Sequence, residues 1–170
     1  PPFYYLFMKF WTGMFGYSEV ALRMPSVLAS LLTGYIVYKI VGLLGKPKSI
    51  SVWSAAFFLF NPLILYYSQE ARMYSMATLF ITLISWSVTK LQVTGYKFKG
   101  RELILANIFE FLALVTFYGS AFFIFSLHAY LLFKRRFKIL FLLVPGSLLA
   151  AALLSPLFLD QLKNSGEVLK

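Results

Sequence analysis

The sequence predicts an all-α, polytopic transmembrane helical bundle, and three observations carry that prediction. Of its 170 residues, 60% are hydrophobic and 13% charged, with a mean hydropathy of +0.77, whereas a soluble domain is about half apolar and a quarter charged. The apolar residues fall in runs near the length of about 20 residues that crosses a hydrocarbon core of about 30 Å. The charged residues gather in the short connections between those runs, a distribution that a single buried core does not require.

The opening segment, 2–16, has helical spacing. Lys9, Thr12, Gly13 and Gly16 recur at i, i+3, i+4 and i+7, and the other face carries Phe3, Leu6, Phe7, Phe10, Trp11 and Met14. That pattern suits a helix lying flat in the outer interface, so 1–20 is expected to be a juxtamembrane helix. The alternative is the stump of a membrane-crossing helix. The chain opens at Pro1-Pro2 with no initiator Met, basic n-region or small-residue cleavage site. It therefore shows no signal peptide and is expected to begin within a larger protein.

Over 21–160 about six transmembrane helices are expected, at 22–43, 50–67, 73–89, 102–118, 120–133 and 139–159. The fourth and fifth are separated at Tyr118-Gly119-Ser120, a plausible turn. One long tilted helix over 103–133 is the alternative, but it would place Lys134-Arg135-Arg136 on the outer side. The polar tail that begins at Asp160, and 161–170 in particular, resembles the start of an outer loop.

Short loops rich in Lys and Arg stay cytoplasmic. Alternate connections carry Lys39, Lys46 and Lys48, then Lys90, Lys97, Lys99 and Arg101, then Lys134, Arg135, Arg136 and Lys138. The intervening connections carry Arg72, with Lys163 and Lys170 beyond the last span. Six crossings satisfy the rule and put both ends of the chain outside the cytoplasm.

The net charge of +10 raises nucleic acid as a partner. The basic residues sit in short loops between spans and form no stripe, so a lipid bilayer is expected as the partner and nucleic acid is not. The absence of cysteine rules out a disulfide or a thiolate metal site within the chain.

One outer connection concentrates polar chemistry. Tyr66-Tyr67-Ser68-Gln69-Glu70-Ala71-Arg72-Met73-Tyr74 places a carboxylate, an amide, a guanidinium and several phenols at a membrane boundary. An aromatic belt with a snorkelling Arg would account for the tyrosines. It leaves Gln69 and Glu70 unexplained, and ionisable groups there are functional candidates. If the segment is helical, Tyr66, Glu70 and Tyr74 share one face and Gln69 and Arg72 another, while Glu70 and Arg72 point apart.

These residues resemble a known family. Pro1-Pro2-Phe3-Tyr4-Tyr5-Leu6, Glu19-Val20-Ala21-Leu22-Arg23-Met24-Pro25-Ser26, and Asn61-Pro62 followed by the 66–74 run are similar to the bacterial and archaeal glycosyltransferase family 39 proteins. Those belong to the GT-C superfamily, with the protein O-mannosyltransferases and the lipid A aminoarabinose transferases. The resemblance is strong over 1–92 and compatible beyond, where Tyr118 falls at an outer hairpin that relatives furnish with Tyr and His.

The resemblance implies an inverting transfer of a sugar from a polyprenyl-phosphate donor to a lipid, glycan or protein acceptor outside the cytoplasm. It implies that the primary acidic residue, and a His that commonly precedes the Pro pair, lie upstream of Pro1. In that frame Arg72 would bind the donor phosphate, because a guanidinium matches phosphate oxygens bidentately. Glu70 would orient sugar or acceptor, or support a divalent metal. Gln69 and Tyr67 would hydrogen-bond the sugar, with Tyr74 and Tyr118 beside them. Pro1 and Pro2 would brace the outer loop, although Pro in a first helical turn is also ordinary punctuation.

Glu110 and His128 lie inside apolar spans, where a charge is costly unless paired. Each is nine residues from Gly119, so a turn there sets them at matching depth. They are expected to form a structural pair rather than a proton relay. A multi-span transporter or lipid flippase would also hold intramembrane Glu and His, and a noncatalytic membrane subunit is a further reading. The polar cluster at one surface favours headgroup chemistry over both.

Overall fold

Ser18 adopts an extended conformation, and its side chain accepts the N–H of Ala21 at 3.2 Å. That cap starts the first long helix of the chain, with Glu19 in its first turn. The computed structural model describes the backbone over 2–93 and 99–168 and the side chains over 2–93 and 100–156. Eight helices occupy these residues: α1 (Pro2–Phe15), α2 (Glu19–Leu43), α3 (Lys48–Leu59), α4 (Pro62–Ser68), α5 (Tyr74–Val93), α6 (Lys99–Thr116), α7 (Ser120–Phe133) and α8 (Phe137–Val168). No strand occurs among the described residues.

The helices form a row in which α2 packs on α5, α5 on α6 and α6 on α8. α3 covers α2, and α7 touches α5, α6 and α8. The shared core is Ile84, Val88 and Leu91 of α5 against Ala106 and Ala113 of α6, Ile124 and Leu131 of α7, and Ile139 and Leu143 of α8. Large apolar residues point outward from the same helices, among them Phe122, Phe125, Phe141 and Leu149. Chains of apolar residues directed both inward and outward fit a bundle whose solvent is lipid.

α1 ends at Gly16, whose φ of +80° no L residue adopts readily. α1 packs on α6 and on α2, and one of its polar contacts is prepared by Pro25 inside α2. Proline has no N–H, so the carbonyl four residues earlier, Ala21, loses its helical partner. The indole Nε1 of Trp11 donates to that carbonyl at 2.8 Å. Thr12 is buried and its hydroxyl donates back to the carbonyls of Met8 and Lys9, whereas Lys9, Gly13 and Gly16 on the same stripe are exposed. Leu6, Phe10 and Met14 are exposed as well.

Among the described residues three helices are long and apolar enough to cross a membrane: Glu19–Leu43, Tyr74–Val93 and Phe137–Pro156. α3 and α4, bent by 61° at their break, meet that length and apolarity only as a pair, the form of a broken span or a re-entrant loop. The single helix expected over 50–67 is thus broken. Asn61 turns extended and caps α4 by accepting the Leu63 N–H at 2.9 Å, and Pro62 occupies its first turn. α6 and α7 do not reach the same criterion. α6 carries Lys99, Arg101, Glu102 and Glu110, and α7 has 14 residues, about 21 Å of rise.

The region 103–133 is two helices, joined through Phe117, Tyr118 and Gly119. The expected outer loop at the end of the chain is helical instead, since α8 runs to Val168. Loss of apolar character ends a span and need not end a helix. Lys97 and Pro1 lie outside the described residues.

Candidate functional site at one end of the bundle

Because successive helices reverse direction, the connections at 16–18, 69–73 and 117–119 share one end of the bundle. α4 stops at Ser68, and Gln69 closes it with its N–H donating to the Tyr66 carbonyl at 3.2 Å. The backbone then leaves the helix until α5 begins at Tyr74. The hydroxyl of Ser26, from inside α2, donates to the Glu70 carbonyl at 2.6 Å and lies 3.5 Å from the Arg72 carbonyl. A donor from outside the segment thus serves a carbonyl with no helical partner.

The segment 66–74 is thus not helical throughout, so the arrangement in which a continuous helix would point Glu70 and Arg72 apart does not apply. Arg72 Nε lies 3.5 Å from Glu70 Oε2. The Glu70 side chain is 25% exposed and that of Arg72 63%. Glu70 Oε2 itself is shielded from solvent and makes no hydrogen bond among the described residues. The contact is therefore a loose ion pair, weak by the standard of bidentate Arg–carboxylate geometry.

Opposite stand Glu19 and Arg23 of α2, paired at 2.6 Å across one helical turn with both side chains exposed. Glu19, Leu22, Arg23, Gln69, Glu70, Ala71 and Arg72 line a recess of about 350 Å³. Two guanidinium groups and two carboxylates thus share one open cavity. Sequence reading placed Gln69, Glu70 and Arg72 there but assigned no role to Glu19 and Arg23. Their i, i+4 spacing at a helix start was the available signal.

The tyrosines are placed differently. Tyr66 meets Tyr67 edge-on at 5.3 Å, Tyr67 meets Tyr74 at 4.6 Å, and Tyr74 meets Phe117 edge-on at 5.4 Å. Tyr67 also walls a cavity of about 20 Å³ with Ser30, Thr33, Ser75 and Thr78. Tyr118 sits in the turn next to Phe117 and is half-buried. Tyr67, Tyr74 and Tyr118 thus form or flank an aromatic strap behind the recess and do not line it. Pro2 opens α1 and is half-buried.

Deeper in the bundle, Glu110 is fully buried and its Oε1 lies 3.1 Å from His128 Nε2. Its Oε2 accepts the hydroxyl of Ser147 at 2.8 Å. Three helices, α6, α7 and α8, therefore meet on one carboxyl group. Ser147 had no signal in the sequence, because its orientation depends on how α8 is rotated.

No group of three or more His, Cys, Asp or Glu suited to a metal ion occurs among the described residues. In the recess each of the two carboxylates already has an arginine partner. These residues alone do not fit a divalent cation.

An all-helical bundle with helices of membrane-crossing length, and a recess at one end lined by two arginines and two carboxylates, defines a polytopic membrane protein with a polar site at its boundary. The profile of the dolichyl-phosphate-mannose-protein mannosyltransferase family matches residues 1–159, and the chain belongs to that family. Neither the curated proteins nor the solved structures give a significant match.

Proposed function

We propose that the recess at 19–23 and 69–72 receives the phosphosugar head of a polyprenyl-phosphate-linked sugar on the extracytoplasmic side, for transfer to a lipid, glycan or protein hydroxyl. The observation that carries this reading is the convergence of Arg23 and Arg72 on one open recess beside the poorly satisfied carboxylate of Glu70. An outgoing lipid phosphate needs positive charge, and an incoming hydroxyl needs an acceptor for its proton or a group that aims it.

Arg72 is the better placed cation, since it is mostly exposed and its only described anionic contact is long. Its planar fork suits a phosphate. The Glu70 side chain is part-exposed and lines the recess, and the part of its carboxylate that reaches solvent can accept from a sugar or acceptor hydroxyl. Gln69 lines the same wall and supplies both donor and acceptor. In the reaction, the acceptor oxygen bonds to the anomeric carbon and the bond from that carbon to the phosphate oxygen breaks. Polyprenyl phosphate departs with the electron pair, and the hydroxyl proton passes to a carboxylate. The family resemblance implies that the base is a carboxylate other than Glu70, and Glu70 serves as the orienting acid.

Transfer of radiolabelled sugar from polyprenyl-phosphate donors, measured in membranes containing the full-length protein, tests the reading. Label is expected in an acceptor fraction and its appearance is expected to fall when Arg72 becomes Ala. Transfer by the Arg72→Ala variant at the rate of the parent would remove the phosphate role.

A further inference from the structure

We propose that Ser26 is a positioning residue that clamps the Glu70–Arg72 turn against α2 and thereby aims Arg72 into the recess. The assignment of the recess to a donor phosphate rests on the function proposed above; the clamp itself rests on geometry.

Residues 69–73 lie between α4 and α5, and 69–72 of them hold side chains that meet in the recess. Something outside the segment must fix them. Ser26 is 3% exposed, sits in the interior of α2 and donates at 2.6 Å to the Glu70 carbonyl, with the Arg72 carbonyl at 3.5 Å. One turn further along α2, Ser30 is also buried, and its hydroxyl lies 3.3 Å from that of Ser75, which donates to the Tyr67 carbonyl at 3.0 Å. Ser26 therefore holds the turn that bears Glu70 directly, while Ser30 on the same helix meets Ser75, whose hydroxyl holds the last turn of α4.

The direction of these bonds separates a clamp from ordinary small-residue packing between membrane helices. A helical Ser or Thr commonly donates to the carbonyl four residues earlier. Thr33, on the same helix, does so to Ala29 at 2.7 Å. The Ser26 hydroxyl instead reaches a segment 44 residues away in sequence. Replacing it with Ala removes one methyl-sized polar group and leaves the Glu70 carbonyl without its donor.

The test uses the full-length protein with no cysteine other than one introduced as Ala71→Cys, at an exposed position of the turn, or as Tyr17→Cys, an exposed control outside it. Adding Ser26→Ala is expected to speed maleimide labelling at position 71 several-fold and to leave position 17 unchanged. In the protein without introduced cysteine, Ser26→Ala is expected to raise the donor KM about five- to tenfold with little change in kcat, matching loss of one hydrogen bond. Ser26→Thr, which keeps the hydroxyl, is expected to restore both. Unchanged labelling at position 71 in Ser26→Ala overturns the clamp. Faster labelling there in a protein whose parent transfers no sugar upholds the clamp and overturns the functional reading of the recess.

Discussion

The N–H of Gly146 donates to Oδ1 of Asn107 at 2.7 Å, while Nδ2 of the same amide donates to the Leu142 carbonyl at 2.7 Å. Leu142 and Gly146 are the i and i+4 partners of a regular helix, so the amide of α6 bridges a rung of the α8 ladder. Pro145, which has no N–H, stands beside that rung. Side-chain insertion and proline are both recognised causes of helix bending.

The seam between α6 and α8 requires glycine at 146. A Cβ there would lie 2.6 Å from the Asn107 carbonyl oxygen and 3.0 Å from its Cα, and backbone atoms have no flexible retreat. Gly146→Ala is therefore expected to cost about 1–3 kcal/mol, the usual range for overpacking. A lowered thermal midpoint in detergent would show it. A midpoint equal to that of the parent would mean that the two helices are not held this closely.

The Glu110, His128 and Ser147 junction should be sensitive to loss of the imidazole. Hydrogen bonds inside membrane proteins average about 0.6 kcal/mol and reach about 1.7 in double-mutant cycles, but a carboxyl group left without partners in lipid is costlier. Glu110→Gln keeps an acceptor for Ser147 and is expected to be the milder change. His128→Ala is expected to be the more destabilising single variant. A Glu110–His128 cycle should give a coupling of about 1 kcal/mol. Additive effects across the cycle would show that the 3.1 Å approach contributes nothing.

In the recess, the two arginines should differ in kind. Arg23 is held at 2.6 Å by Glu19, whereas Arg72 has only the 3.5 Å contact with Glu70. Arg72→Ala is expected to raise the donor KM about 10- to 100-fold, the loss of a charge-assisted hydrogen bond to phosphate. Arg72→Lys should fall between, because ammonium keeps the charge and loses the fork. Arg23→Ala should have the smaller effect. Steady-state kinetics on full-length protein in membranes compares the three, and a larger loss at position 23 would transfer the principal phosphate contact to Arg23.

Much of this arrangement was legible in the sequence for a physical reason. The length of apolar runs and the Gly119 turn located the boundaries of α2, α5, α6 and α7, because bilayer thickness and backbone geometry act locally. The depth of Glu110 and His128 followed from counting residues to that turn. Other features depend on distant partners. The non-helical course of 69–73 is tied to Ser26, and no pattern within the segment announces that. Asn61-Pro62 did carry a helix-start signal, but the apolar run continues through it, and hydropathy alone reads one span. The end of α8 was misplaced because polar residues such as Asp160 and Lys163 terminate a hydrophobic segment while remaining compatible with helix.

Sidedness decides whether the recess can meet an extracytoplasmic donor. The loops at 44–47 and 134–136 lie at the end of the bundle opposite to the recess and carry Lys46, Lys134, Arg135 and Arg136. Basic loops of this length are retained on the cytoplasmic side, an arrangement that would direct Tyr17 and Ala71 outward. In intact cells, a membrane-impermeant maleimide is expected to label Tyr17→Cys and Ala71→Cys, both exposed positions. Lys46→Cys and Arg135→Cys, exposed at the other end, should react only after the membrane is opened. The reverse pattern would place Arg72 among cytoplasmic solutes, where a polyprenyl-linked donor delivered to the outer leaflet has no access to it, and the proposed reaction would lose its substrate.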